Sequence, residues 1–320
     1  MPTASSSATR CAAFAIGAEV PARDFAFRVH SVFGSALNLA VEGRRALVTL
    51  VSEDAGDFPQ AIRLATRERF DAWAVAAGAR GRVADGTLVI EGDAGEELVA
   101  IDLARAVRAV RTALPRIDTR AVATREAWAV CAFHLDGLQE EGQADLRLSA
   151  LCGTYPAPTT LGERLAAGSR ALAHAVRAGD DVSAGSAAAR LLGLGTGLTP
   201  SGDDLLCGLL AGLGCTSDDG TPERRFVMEW SARLSGRLDG THAISATFLE
   251  CAIAGSFPET VRVLAAAFAG SRAGHAHEGP RQALDDLCAL GHCSGMDTAT
   301  GFLFGLWLRT DDEDKRPYAP

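Results

Sequence analysis

Two short segments of this chain set serine, glycine and aspartate in the same order ahead of an apolar, helix-like run: Ser201-Gly202-Asp203-Asp204 and Ser294-Gly295-Met296-Asp297. Serine and aspartate oxygens at such a place can accept the unpaired N–H groups of a first helical turn. They can equally face a ligand, because the positive end of a helix and its free N–H groups favour an anion. Asp203, Asp204 and Asp297 are therefore candidate acid/base or hydrogen-bonding groups, and Mg²⁺ held between them is a further possibility. The plainer reading is that each carboxylate only caps its own helix. Against it, Thr199, Ser201, Asp203 and Asp204 crowd a single turn, and capping needs only one side chain.

Upstream of the first segment runs Leu192-Gly193-Leu194-Gly195-Thr196-Gly197-Leu198-Thr199-Pro200. Alternating glycines ahead of a helix start make a backbone able to wrap an anion, and Gly195, Gly197 and Thr199 join Ser201, Gly202, Ser294 and Gly295 as candidate substrate contacts. The run follows a helical stretch, so it is not a dinucleotide fingerprint. Two histidines stand near helix starts: His242 in Thr241-His242-Ala243-Ile244-Ser245, and His292 just before the second serine motif. Either suits a general acid or base, and an ordinary hydrogen-bonded imidazole is the bland alternative.

The elements that must hold these residues are helices. Laid over each other, residues 201–213 and 294–306 agree at seven of thirteen positions. Gly208 with Gly212, and Gly301 with Gly305, repeat at a spacing of four, which puts each pair on one helix face where another backbone can approach closely. Alanine and leucine at helical spacing dominate from about residue 125 to 308, with helices expected over 161–178, 224–237, 261–268 and 282–290. Between about residues 25 and 114 the texture is that of strands: 31–39 alternates in part, 46–51 is a short apolar run, 87–90 follows the turn signal Asp85-Gly86, and 98–101 is another run; a helix is expected over 70–77. The expected fold is α+β: a lead over 1–22, a small β-rich domain over 23–118, a mainly helical domain over 119–310 carrying the repeat and the site, and an acidic tail over 311–320.

Composition narrows the chemistry. Thirty-one basic against forty acidic residues give a net charge of −9, a poor balance for a nucleic-acid partner. Every basic residue except Lys315 is arginine, which removes the lysine that a P-loop, a pyridoxal enzyme or a lysine aldolase needs. Anion recognition falls to arginine, backbone N–H groups and helix starts. No apolar run is long enough for a membrane span and no secretory signal opens the chain, so a cytoplasmic protein is expected. Eight dispersed cysteines read as small buried hydrophobes; Cys288, His292 and Cys293 beside His275 and His277 fit no standard zinc spacing. Asn38, Arg44 and Arg45 are the residues of the first domain to watch for a contribution to the site.

With these residues in view, the chain resembles a bacterial family associated with a subunit of oxamate carbamoyltransferase in anaerobic allantoin breakdown. The resemblance is carried by Gly195-Thr196-Gly197-Leu198-Thr199-Pro200-Ser201-Gly202-Asp203-Asp204, by Gly291-His292-Cys293-Ser294-Gly295-Met296-Asp297, and by the early stretch from Ser31 to Leu39. Thr196 stands where that family more often has proline. The resemblance implies transfer of a carbamoyl group between oxalurate and phosphate, a small anionic substrate, partner subunits and no necessary cofactor. It assigns no catalytic residue. Two other readings remain at this stage: a non-catalytic docking subunit, and a Mg²⁺-dependent phosphate-ester enzyme.

Overall fold

In the computed structural model, which describes residues 8–272 and 278–310, the chain divides into two units, Met1–Thr112 and Ala113–Pro320. The acidic tail and the histidines His275 and His277 lie outside the described residues. No helix among the described residues is long and apolar enough to cross a membrane, and all eight cysteines are free thiols.

Among the described residues the first unit is a barrel-like sheet of nine strands: β1 (Thr9–Ile16), β2 (Phe25–Val32), β3 (Ala36–Val41), β4 (Leu47–Val51), β5 (Ala61–Leu64), β6 (Arg80–Ala84), β7 (Thr87–Glu91), β8 (Glu97–Asp102) and β9 (Val107–Arg108). The order is β5-β4-β3-β2-β6-β7-β8-β1-β9, and β1 also pairs with β5, which closes the sheet on itself. Closure leaves few free edges. Alternate residues point inward, so Phe27, Leu37, Leu39, Leu50, Ile62, Leu88, Ile90 and Ile101 fill the interior. The turn between β6 and β7 uses Asp85 and Gly86, both at positive φ, as a tight two-residue hairpin requires.

Three expectations for this unit change. Residues 9–16, placed in the lead, form β1; the signal was faint because Ala13 and Ile16 are its buried side chains and alanine gives little contrast. The alternation over 31–39 spans the end of β2, a turn and the start of β3. The helix expected over 70–77 is a single 3-10 turn, Phe70–Ala72, whose Phe70 packs edge-on against Trp73 at 4.7 Å. Asn38 is committed within the sheet, donating to Ser31 Oγ at 3.0 Å and accepting from Thr49 Oγ1 at 2.8 Å, and the exposed Arg44 donates to the Glu19 carbonyl.

The second unit is helical, with ten α-helices among the described residues: α1 (Val122–Glu141), α2 (Leu148–Leu151), α3 (Thr160–Ala178), α4 (Asp181–Ala188), α5 (Ser201–Cys215), α6 (Pro222–Ser235), α7 (Ala243–Ile253), α8 (Glu259–Ala269), α9 (Glu278–Cys288) and α10 (Ser294–Leu308). Local chemistry explains the ends. Thr159 caps α3 through the Gly162 N–H, Gly179 closes it at positive φ, and Thr221 with Pro222 opens α6.

At the centre of this unit α5 and α10 cross with their backbones almost touching. A Cβ built on Gly208 falls inside the contact distance of the Thr298 carbonyl and 2.8 Å from the Phe302 N. A Cβ on Gly301 meets the Leu205 carbonyl in the same way and lies 2.8 Å from the Leu209 N. The contacts are reciprocal: each relation persists when the two helices exchange roles. Gly212 and Gly305 continue the close approach one turn on, with the Gly305 Cβ position 3.1 Å from Gly212 Cα. Phe302, Leu303, Leu205, Leu206 and Leu209 pack around the crossing and are buried.

Candidate functional site

Because α5 and α10 begin at Ser201 and Ser294, their crossing brings both serine motifs to one place. Thr199 Oγ1 and Ser294 Oγ lie 2.6 Å apart, a direct hydrogen bond from the loop before α5 to the first residue of α10. The aspartates exchange partners across the pair. The Ser294 and Thr199 hydroxyls stabilise the charged form of Asp204, and the Ser201 hydroxyl does the same for Asp297.

The glycines that start each helix serve close packing. Gly202 donates its N–H to the Leu194 carbonyl at 2.8 Å and Gly295 to the Leu290 carbonyl at 3.0 Å. A Cβ at either would run into the backbone of the preceding segment, at Leu191 and Leu287. Their own N–H groups are thus committed inside the protein. Gly193, Gly195 and Gly197 all take positive φ, which curls the loop over the start of α5. Gly195 cannot carry a side chain there, since its Cβ would lie 2.5 Å from the Ser201 N, whereas the space around Gly197 is open.

The three aspartates differ in their surroundings. Asp203 is fully buried and accepts from the Gly193 N–H at 2.9 Å, from Ser245 Oγ at 2.7 Å and from Thr241 Oγ1. It therefore fastens the glycine loop and the start of α7 to α5. Asp204 is also buried, but its Oδ2 has no hydrogen-bond partner among the described residues. Burial, with smaller contributions from Asp297 and Asp203, holds the Asp204 carboxyl well above the usual carboxylate range. Asp297 is 3% exposed; burial, reinforced by the nearby Asp145, pushes its pKa up to about 6.

Asp145, in the loop before α2, belongs to no motif and was not legible in the sequence. Its Oδ1 accepts from Thr159 Oγ1 at 2.5 Å, which fixes it beside the start of α3. Burial raises the Asp203 carboxyl above its usual range against the pull of its three donors and, least of all, of His242, the exposed residue before α7. His292 and Cys293 are exposed immediately before α10. His134 instead pairs with Asp285 at 2.6 Å between α1 and α9. Among the described residues no group of three or more His, Cys, Asp or Glu is gathered as a metal site.

The raised pKa of Asp297 has a testable consequence for stability. The folded carboxyl holds its proton to about pH 6, while the unfolded one releases it near the ordinary value of 3.8. Stability from this group is complete below the unfolded value and is lost as pH rises through the folded one. Asp297→Asn removes the titration, so its stability relative to the parent should rise by roughly 3 kcal/mol between about pH 3 and pH 7. Denaturant melts at both pH values measure this; parallel pH curves for the two proteins would exclude it.

Two family models match the chain. One, described as oxamate carbamoyltransferase subunit AllH, matches residues 191–306, which include both serine motifs and the whole of α5. The other, the AllH family N-terminal domain, matches residues 7–108 and so takes in the barrel-like sheet. No solved structure matches the chain. Between them the two models cover most of the sequence, and the chain belongs to the AllH family of oxamate carbamoyltransferase subunits.

Proposed function

We propose that this chain supplies the carbamoyl-handling site of an oxamate carbamoyltransferase and works with other subunits of that enzyme. The observation that carries the reading is the exchange of partners at the two helix starts, which leaves the buried Asp204 Oδ2 as an uncommitted polar atom. A carboxyl whose only duty was capping would have its oxygens on the N–H groups of its own helix.

The reaction would run as follows. A phosphate oxygen attacks the ureido carbonyl carbon of oxalurate, the bond from that carbon to the amide nitrogen breaks, and the nitrogen gains a proton to leave as oxamate. Carbamoyl phosphate is the other product, and the proton brought in on hydrogen phosphate restores the one that the general acid gives up. Asp204, kept protonated above the usual range, is placed to hand over that proton, and Asp297 to accept an N–H of the carbamoyl –NH₂. A protonated Asp204 does not repel the anionic substrate. In this reading the hydroxyls of Thr199, Ser201 and Ser294, gathered at the starts of α5 and α10, and the positive ends of those helices would stabilise the charge that develops on the carbonyl oxygen. Asp203 acts as a positioning residue, and Gly202 and Gly295 act by letting the two starts approach. His242 and His292, each exposed just before a helix of the site, are the imidazoles this reading offers to phosphate.

The test is binding of oxamate to the purified chain by calorimetry, followed by assay of carbamoyl phosphate formation from oxalurate and phosphate with the partner subunits present. Saturable oxamate binding that weakens at least about tenfold in the double variant Ser201→Ala, Ser294→Ala is expected. An assembled enzyme that turns over while this chain binds no substrate would sink the reading. It would favour a docking subunit, for which the exposed Leu198 at the tip of the glycine loop is the supporting observation.

A further inference from the structure

The opposite ends of α5 and α10 meet about 20 Å away from the serine motifs, given fifteen residues per helix at 1.5 Å each. A cavity of about 530 Å³ opens there, within the range of small-molecule sites. Arg116, Arg120, Arg177 and Arg309 line it together with threonine hydroxyls, among them Thr119 and Thr216. Three carboxylates are present as well. Asp218 is paired with Arg116 Nε at 2.7 Å, Asp118 accepts the Arg120 backbone N–H at 2.9 Å, and Glu223 is the acidic neighbour of Arg309.

Arginines at helix ends commonly serve the last carbonyls. Arg116 does so, donating Nη1 to the carbonyls of Ile117 at 2.7 Å and Cys215 at 3.2 Å. Arg309 does not. Its Nε and Nη2 are buried and have no hydrogen-bond partner among the described residues. These two atoms form the edge of the guanidinium that grips a carboxylate or phosphate through two parallel bonds. The same edge of Arg111 holds Glu19 with both bonds at 2.9 Å. Arg177, which also lines the cavity, lies over the Trp307 ring at 4.7 Å.

We propose that this cavity is a second site, which binds a small oxyanion through the Nε/Nη2 edge of Arg309 with Arg177 as a second positive charge in its lining. Turning that edge toward a ligand breaks no hydrogen bond of Arg309 within the protein. The site is separate from the serine motifs and does not depend on the reaction assigned to them.

Titration of the full chain with inorganic phosphate and with malonate, at constant ionic strength balanced by chloride, tests the proposal. Saturable binding of either, seen as a heat signal and a rise in Tm, is expected; which of the two binds tighter tells a phosphoryl from a carboxylate ligand. Arg309→Gln and Arg177→Gln should each weaken binding at least about tenfold, while Arg262→Gln, at an exposed arginine of α8 that does not line the cavity, leaves it within about twofold. If Arg309→Gln fails to fold, Arg177→Gln carries the comparison. Absence of saturable binding of both anions overturns the proposal. So does undiminished binding by Arg309→Gln and Arg177→Gln, which would place the anion elsewhere on the chain.

Discussion

Gly208→Ala unfolds the helical unit or lowers its melting temperature by about 10 °C or more, although alanine is the better helix former by about 1 kcal/mol. The new methyl group would fall onto the Thr298 carbonyl and within 2.8 Å of the Phe302 N. Both are backbone atoms inside a regular helix, so neither can swing aside as a side-chain end does. Relief comes only if α5 and α10 separate, and separation opens gaps beside Leu205, Leu209 and Phe302, all of which are buried. Cavity and overpacking effects of this kind reach about 3–5 kcal/mol. Gly301→Ala should match it, since its Cβ meets the equivalent atoms of α5. The same helix contains the control: a Cβ on Gly214 has nothing within 4 Å, so Gly214→Ala should be neutral or stabilising. Thermal melts of the three variants decide it, and a Gly208→Ala protein as stable as Gly214→Ala would show that the helices do not touch as described.

The contrast between those glycines also explains what the sequence made legible. A spacing of four at 208/212 and 301/305 declares a flat helix face, and the serine motifs at the same offset declare where those helices start. Periodicity and caps are local properties, so α3, α6 and α10 could be read without knowing what they pack on. The exchange of Ser201 to Asp297 and Ser294 to Asp204 is not local, because it depends on the angle at which two distant segments cross. Asp145 was invisible for the same reason: it reaches Asp297 from a loop with no motif. So was the separation of duties between Asp203 and Asp204, adjacent residues of one type. One turns toward Gly193, Thr241 and Ser245, and the other toward the second helix start. In the first unit β1 was lost because its alanines scarcely mark an inward face, and closure by β1 against β5 is a long-range pairing no spacing announces.

The division between Asp203 and Asp204 makes the last expected result specific. Asp204→Asn should lower turnover of the assembled enzyme by a factor on the order of 10²–10³, the range for loss of a general acid, while the melting temperature of the chain holds or rises. The stability half follows from burial: a carboxyl kept well above its ordinary pKa is one whose ionisation the fold resists, and a neutral amide of the same shape removes that strain at neutral pH. The activity half follows from the proton. An amide can still accept a hydrogen bond, so substrate binding should change little and the loss should fall on kcat. Asp203→Asn should behave in the opposite sense. Its carboxylate takes three donors, and an amide can be oriented to keep only part of them, so the glycine loop and α7 loosen and the melting temperature falls. Measured side by side, kcat and Tm therefore move apart in the two variants. A destabilised Asp204→Asn protein with full turnover would mean that Asp204 is only a helix-end residue, and the transfer chemistry would have to be sought on another subunit.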